Sequence, residues 1–196
     1  MVVAVGTTGL RTWEAALHLG QYLCTDPSLV GGKRVLELGA GTGYLSILCA
    51  RQLGAAHVVA TDGSDEVVVA LAENFALNGL QEGPDARLSA AELRWGQELM
   101  DADVDVVLGA DITYDSSVVG ALVTTIDGLL ARSPDAEVLL AATQRNEATF
   151  ASFLNTCQAQ GFGVEDVSYE VTPRSEQMGP FYDDRVLIRI CKVVRR

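Results

Sequence analysis

The sequence predicts an α/β fold with a mostly parallel sheet and an antiparallel last strand. Short apolar segments typical of strands alternate with segments of helical periodicity along most of the 196 residues, an order typical of parallel sheets. A glycine-rich turn over residues 39–43 joins an apolar strand to a helix. No helix separates the last two strands, so we expect them to pair antiparallel through the polar loop over residues 172–184.

The elements are predicted in the following order along the chain. A first helix over residues 13–24 begins after Thr12, whose hydroxyl can cap its first turn. Strands are expected at 35–38, 57–61, 86–91, 104–110, 136–142, 164–171 and 186–191, and further helices at 44–53, 65–77, 116–130 and 146–160. Asn78 and Gly79 predict a left-handed end to the helix over 65–77, and residues 192–196 are expected to form a basic tail.

Length and charge limit the classes of protein that fit. With 48% hydrophobic residues, the chain suits a single domain over residues 1–196 with a full-sized core. The net charge of −12 argues against direct binding of nucleic acid, which usually needs a basic surface. No apolar run approaches the length of a membrane span, and we expect no signal peptide at the start of these residues. We therefore expect no membrane contact, and we also expect a monomer.

The cysteines and histidines indicate neither disulfides nor a metal site. The chain holds four cysteines, Cys24, Cys49, Cys157 and Cys191. They lie in apolar contexts with no C-x-x-C pair and no Cys/His cluster, so we expect buried, reduced thiols in the cytoplasm and no bound metal. His18 and His57 are the only histidines, which leaves little material for a histidine metal site or a histidine-based triad.

The turn over residues 39–43 is the strongest indication of a binding site. Gly39, Gly41 and Gly43 permit a sharp bend and let a ligand approach the backbone without a Cβ in the way. Their spacing differs from the G-x-G-x-x-G of dinucleotide sites, and the chain lacks the P-loop motif G-x-x-x-x-G-K-[ST]. The alternative interpretation is a tight strand–helix turn with no ligand.

Three further segments follow predicted strands at the edge where open α/β sheets bind ligands. Asp62 ends the second strand, about 20 residues after the turn, the place of an acid that binds a ribose diol; capping the next helix is its alternative. Trp95 follows the third strand, where an indole could cover an adenine, although a lone tryptophan is more often packed in a core. Asp111 and Tyr114 follow the fourth strand. Taken singly, Asp111 fits a helix cap and Tyr114 fits a core aromatic, but the two residues together favour a functional site.

These motifs resemble a known family. The segment E-L-G-A-G-T-G over 37–43 is similar to the first motif of S-adenosylmethionine-dependent methyltransferases. D-I-T-Y over 111–114 and W-E-A over 13–15 resemble two motifs of one family of seven-strand protein-lysine methyltransferases.

Other stretches narrow the resemblance to the members of that family that act on elongation factor 2, in a fungal-looking form. They are the opening over 6–16, R-N-E over 145–147 with Phe150, and E-Q over 176–177 with Phe181 and Tyr182. The resemblance covers nearly the whole chain. Family members carry an additional N-terminal region that these 196 residues lack, and this is the one departure from the family.

The resemblance implies a Rossmann-like, seven-stranded S-adenosylmethionine-dependent methyltransferase fold and elongation factor 2 as the protein substrate. Asp111 and Tyr114 would handle the substrate lysine. The implied cofactor-binding residues are Trp13, Glu37, Gly39, Ala40, Gly41, Asp62, Gly63, Trp95 and Ala110.

The chemistry of lysine methylation suits these residues. S-adenosylmethionine carries its own leaving group, so the enzyme mainly supplies positioning. A lysine must be neutral to attack, yet its ordinary pKa is about 10.4. A narrow, partly apolar channel favours the neutral amine. Asp111 can hold the incoming ammonium and orient it, and Tyr114 can flank the amine with its ring or its hydroxyl.

Two other functions stay open at this point. A small-molecule methyltransferase would share the glycine motif. A non-catalytic module could hold the cofactor and dock on a partner. An enzyme that methylates bases or glutamine would be expected to show a turn like N/D-P-P-Y, whereas Ile112 and Thr113 replace both prolines here.

Overall fold

A computed structural model describes residues 11–81, 86–97, 103–144 and 147–196. Its helices are α1 (Glu14–Thr25), α2 (Tyr44–Arg51), α3 (Asp65–Leu77), α4 (Ser116–Arg132) and α5 (Glu147–Ala159), with a short 3-10 helix at Pro27–Leu29. Its strands are β1 (Arg34–Leu38), β2 (His57–Asp62), β3 (Leu88–Glu92), β4 (Val106–Ala110), β5 (Glu137–Thr143), β6 (Phe162–Val167) and β7 (Ile188–Arg195). The predicted alternation of strands and helices is confirmed.

The strands form one seven-stranded sheet in the order β3-β2-β1-β4-β5-β7-β6. Strands β1 to β5 run parallel, whereas β7 runs antiparallel between β5 and β6. The predicted antiparallel last strand is therefore confirmed. Because the neighbours of β1 are β2 on one side and β4 on the other, the connections diverge there and leave a crevice at the carboxyl ends of the strands.

Two apolar layers cover the sheet. Helices α1, α2 and α3 lie on one face, where Leu19, Leu45 and Phe75 are buried in one cluster. Helices α4 and α5 lie on the other face, where Ile126 and Phe153 are buried in a second cluster. Cover on both faces explains why the strands are apolar along nearly their whole length. Within the described residues, none of the helices combines the length and the apolar character that crossing a membrane needs.

The end of the chain differs from the prediction. Strand β6 ends at Val167 rather than at residue 171, and β7 continues to Arg195, so the predicted basic tail over 192–196 is wrong. Lys192 lies within β7 and its Nζ is 3.0 Å from Oε2 of Glu137 on β5. Pairing with β5 continues to Val193 and pairing with β6 to Arg195, and surface carboxylates lie beside the basic side chains of Lys192 and Arg195.

Two local predictions near α1 are also wrong. Thr12 does not cap the helix: Trp13 occupies the N-cap position, and the Thr12 hydroxyl lies 2.7 Å from that of Thr42. Cys24 is exposed, whereas the other three cysteines are buried as predicted, and all four are free thiols.

The predicted left-handed end of α3 is confirmed, since Gly79 has φ of +72°. Residues 6–10, 145 and 146 of the motifs quoted above lie outside the described residues.

The third glycine of the turn serves packing. Gly43 precedes α2 with φ of +76°. A Cβ on Gly43 would lie 2.7 Å from Cδ2 of Leu71 and 3.1 Å from Cε1 of Phe75, both on α3. Gly43 therefore lets α3 approach the start of α2 closely.

Replacing Gly43 by alanine tests this role against a matched control. Gly54 has a similar φ of +72°, and a Cβ on it would meet no other atom within 4 Å. Gly54→Ala should lower the free energy of unfolding by about 1 kcal/mol for the left-handed backbone alone. Gly43→Ala should cost about 1–3 kcal/mol more, because the new methyl group also collides with α3. Urea unfolding measures both, and equal losses would contradict the packing role.

Candidate active site

A cavity of about 510 Å³ opens at the carboxyl ends of the parallel strands, a size usual for small-molecule sites. Every residue of the predicted catalytic and cofactor-binding sets lines it, whereas Gly43, the third glycine of the predicted binding turn, is not among the lining residues. The residues of these two sets are Trp13, Glu37, Gly39, Ala40, Gly41, Asp62, Gly63, Trp95, Ala110, Asp111 and Tyr114. The structure thus brings together segments that are far apart in the chain, and the individual roles of these residues stay predictions.

The glycine turn forms a bare stretch of backbone on the cavity wall. Gly39 and Gly41 have φ of +62° and +54°, values that favour glycine. A Cβ on Gly39 would lie 2.7 Å from Cγ2 of Ile112 and 3.5 Å from Cζ2 of Trp95. The Ala40 N–H donates to the carbonyl of Thr61 on β2 over 2.8 Å. Ile112 and Trp95 thus fill the space that a side chain on Gly39 would need, while the backbone of Gly39 and Gly41 borders the cavity, where a ligand can lie against it.

Asp62 joins the end of β2 to the glycine turn. Its Oδ2 accepts a hydrogen bond from the Gly41 N–H over 3.2 Å, and its Oδ1 accepts one from the Ser64 N–H over 3.2 Å. The bond to Ser64, the N-cap residue of α3, means that Asp62 also supports the start of that helix. An ionised carboxylate has about four acceptor positions, so these two bonds leave capacity for the hydroxyls of a ribose.

Glu37 is a buried acid on β1 at the base of the cavity, with only 3% of its surface exposed. Its Oε2 accepts hydrogen bonds from the N–H of Ser46, over 2.9 Å, and from the Ser46 hydroxyl. Burial raises the pKa of Glu37, the two bonds from Ser46 oppose that rise, and the negative charge of Asp62 adds to it, so that the pKa lies at about 7. Near neutral pH the protonated and ionised forms of Glu37 are therefore both populated.

The surroundings of Asp111 and Tyr114 exclude the alternative roles that were considered for them, a helix cap and a core aromatic. The helix cap of α4 is Asp115, whose Oδ1 accepts from the Ser117 N–H over 2.9 Å, so the capping role for Asp111 is wrong. The carboxylate of Asp111 instead accepts two hydrogen bonds from Thr143, from N–H over 2.7 Å and from Oγ1 over 2.8 Å. Tyr114 is 62% exposed, which excludes a core aromatic.

The two tryptophans lie on different parts of the cavity wall. Trp95 is half-buried and packs against the apolar cluster beneath α4, and its neighbour Gly96 donates its N–H to Oγ1 of Thr125 over 2.9 Å. Trp13 is the N-cap residue of α1, and the guanidinium of Arg11 lies 4.7 Å from its ring centroid. The core-packing and ligand-facing interpretations of Trp95 are therefore compatible, since it does the first and borders the cavity as well.

Sequence reasoning missed Thr143, which lines the same cavity. The signal that could have found it is a polar residue ending an apolar strand: the carboxyl end of β5 lies at the same sheet edge as that of β4.

Across residues 11–81, 86–97, 103–144 and 147–196, no group of three or more His, Cys, Asp or Glu side chains could hold a metal ion.

Residues 4–160 match the family described as lysine methyltransferase. The chain belongs to the lysine methyltransferase family. Protein-lysine N-methyltransferase EFM3 of Chaetomium thermophilum is 50% identical over 204 residues, which cover 100% of this chain and 60% of that protein. The human protein-lysine N-methyltransferase EEF2KMT is 31% identical over 192 residues, which cover 90% of this chain and 56% of that protein. The chain thus spans less than two thirds of the length of either relative.

Solved structures share the fold of this lysine methyltransferase family member. The magnesium protoporphyrin IX methyltransferase of Synechocystis PCC 6803, solved with bound SAM, superposes with a TM-score of 0.57 at 22% identity. The match covers 91% of this chain and 76% of that one. The predicted methyltransferase fold is therefore confirmed.

The raised pKa of Glu37 predicts a pH-dependent stability. Between its ordinary value of 4.5 and about 7, the folded protein binds more protons at this group than the unfolded chain, so rising pH removes stability across this window. The loss should reach roughly 3 kcal/mol above pH 7. Glu37→Gln keeps an acceptor for Ser46 but cannot ionise. Above pH 7, its free energy of unfolding should therefore exceed that of the unaltered chain by about the same amount. Urea unfolding from pH 4.5 to 8 measures the difference, and parallel curves would contradict it.

Proposed function

We propose that this chain is an S-adenosylmethionine-dependent protein-lysine N-methyltransferase that acts on elongation factor 2. The observation that carries the proposal is the position of Asp111 and Tyr114 on the wall of the cavity that the glycine turn also borders. A candidate amine-binding pair and a candidate nucleoside-binding turn thus share one enclosure in a member of the lysine methyltransferase family.

The cavity has the features that S-adenosylmethionine needs. When bound, the cofactor would supply a methyl group carried on a sulfonium. Once the methyl group has been transferred, the rest of the cofactor is a neutral thioether and can leave. Asp62 would accept hydrogen bonds from the ribose hydroxyls, and Trp95 would lie against the adenine. Gly39, Ala40 and Gly41, which border the cavity, would place their backbone against the rest of the cofactor.

The chain's own residues would then prepare the lysine. The Asp111 carboxylate attracts the ammonium and fixes its direction, but a nearby negative charge also favours the protonated form. Apolar groups on the cavity wall, among them Ile112, Val118 and Phe150, act the other way by favouring the neutral amine. The ring of Tyr114 would bound the channel and exclude water from one side. Catalysis would then come mainly from orientation, which can supply several kcal/mol.

A protein substrate is supported by the relatives and by charge. The two relatives described above are both named protein-lysine N-methyltransferases, and the abbreviation EEF2KMT refers to elongation factor 2. A net charge of −12 would attract a basic, lysine-bearing segment. The proposal extends to a monomeric enzyme in the cytoplasm, and the acidic net charge supports the absence of direct contact with nucleic acid.

Asp111→Ala tests the assignment of the substrate site. It should bind S-adenosylmethionine with unchanged affinity, because its contact is to the substrate amine, but lose on the order of 10²-fold in methyl transfer to purified elongation factor 2. Calorimetric titration and transfer of a labelled methyl group measure the two effects. Tyr114→Phe separates the ring from the hydroxyl, and retained activity would mean that the ring acts as a wall.

Asp115→Ala is the matched control for this experiment. Asp115 lies in the same segment but caps α4 and is absent from the cavity wall, so its loss should cost about 1 kcal/mol of stability and leave transfer nearly unchanged. Wild-type transfer by Asp111→Ala would contradict the site. Label found only in small metabolites would favour a small-molecule methyltransferase, and cofactor binding without any labelled product would favour a non-catalytic module.

A further inference from the structure

The carboxyl end of β5 supplies the hydrogen bonds that hold Asp111. Thr143 is the last residue of β5 and uses both of its donors on the same carboxylate: its N–H bonds to Oδ1 over 2.7 Å and its hydroxyl to Oδ2 over 2.8 Å. The Asp111 N–H donates to the carbonyl of Ala141 over 2.8 Å. The backbone and both carboxylate oxygens of Asp111 are thus tied to one strand.

These hydrogen bonds restrict the motion of the Asp111 side chain. Asp111 follows β4 with φ of +53°, in the left-handed region, which a non-glycine residue adopts only at some cost. Without partners, its carboxylate would be free to turn about two side-chain torsions. A donor on each oxygen fixes both torsions. The platform itself is firm, because β5 is an interior strand and Thr143 is paired with Ile188 of β7.

The bond from the Thr143 hydroxyl is not needed to align the strands. The register of β4 and β5 is already set by backbone pairing up to Ala110 and Ala141, and the Asp111 N–H extends it. The hydroxyl adds a charge-assisted bond to a single atom, Oδ2 of Asp111, inside the cavity. Its effect is therefore on the direction of the carboxylate rather than on the sheet.

We propose that Thr143 is a positioning residue for methyl transfer, which fixes the Asp111 carboxylate in the direction that the substrate amine meets. The inference rests on the proposed function, since it requires that Asp111 contacts the amine. Supporting groups of this kind matter because a reacting group must be held to within a fraction of an ångström. Thr143 acts through Asp111 and makes no contact of its own with the methyl group.

Thr143→Val is the direct test, because it removes the hydroxyl at nearly constant size and keeps the backbone N–H. The rate of methyl transfer to purified elongation factor 2 should fall about tenfold, less than the roughly 10²-fold cost of a 1 Å misplacement. The fall should be in kcat, with the affinity for S-adenosylmethionine unchanged by calorimetry. Thr143→Ser restores the donor and should recover most of the lost rate.

Two controls separate positioning from general damage. Thr156→Val removes a comparable half-buried hydroxyl, bonded to the carbonyl of Ser152 over 2.8 Å in α5 and away from the cavity, and should transfer within twofold of the unaltered chain. Thr143→Val placed in the Asp111→Ala background should cause no further loss, because a residue that acts only through Asp111 has nothing left to position. The NMR resonance of the Thr143 amide proton should move upfield in Asp111→Ala.

The outcomes distinguish this inference from the proposed function. If Asp111→Ala is slow while Thr143→Val is as fast as the unaltered chain, the inference alone is wrong. An additive loss in the double variant, weaker cofactor binding in Thr143→Val, or an unmoved Thr143 amide resonance would also overturn it. If Asp111→Ala transfers at the unaltered rate, or the unaltered chain labels no elongation factor 2, the proposed function fails and the inference fails with it.

Discussion

The contact on which the site depends is the packing of Ile112 over two glycines, Gly109 within β4 and Gly39 directly after β1. A Cβ on Gly39 or on Gly109 would lie only 2.7 or 2.5 Å from atoms of the Ile112 side chain, so neither position has room for one. Ile112 belongs to the D-I-T-Y segment, and Gly39 begins the turn. The two halves of the cavity are therefore packed directly against each other, and a shift in one displaces the other, because close-packed interiors transmit strain.

Around this contact, hydrogen bonds between distant segments hold the parts of the cavity wall together. Asp62 binds the glycine turn from β2, and Thr12 binds Thr42 of the same turn from the segment before α1. Thr143 binds Asp111 from β5 in the same way. Asp62 and Thr143 make these contacts from the ends of strands, and Thr12 makes its contact from the segment directly before α1. Such preorganisation reduces the entropy that binding must overcome.

The sequence predicted the features that repeat along the chain or lie close together in it. Apolar periodicity gave the strands and helices, because burial on one or both faces imposes it. The cavity wall was found because motifs at strand ends converge on one edge of a parallel sheet. Hydrogen bonds between residues that are distant in the sequence could not be predicted from it. Thr143 lies 32 residues from Asp111, and Thr12 bonds to Thr42 instead of capping the helix. The basic end of β7 was mistaken for a tail because its carboxylate partners, such as Glu137, come from another strand.

The placement of the tryptophans gives the protein a built-in optical probe. The chain has two tryptophans, Trp13 and Trp95, and both border the cavity. All indole emission therefore originates at its walls, from one ring at the start of α1 and one after β3. Quenching or a change in emission wavelength would report on what enters the cavity, and no label would have to be attached. Replacing either ring by phenylalanine would assign the signal to the other one.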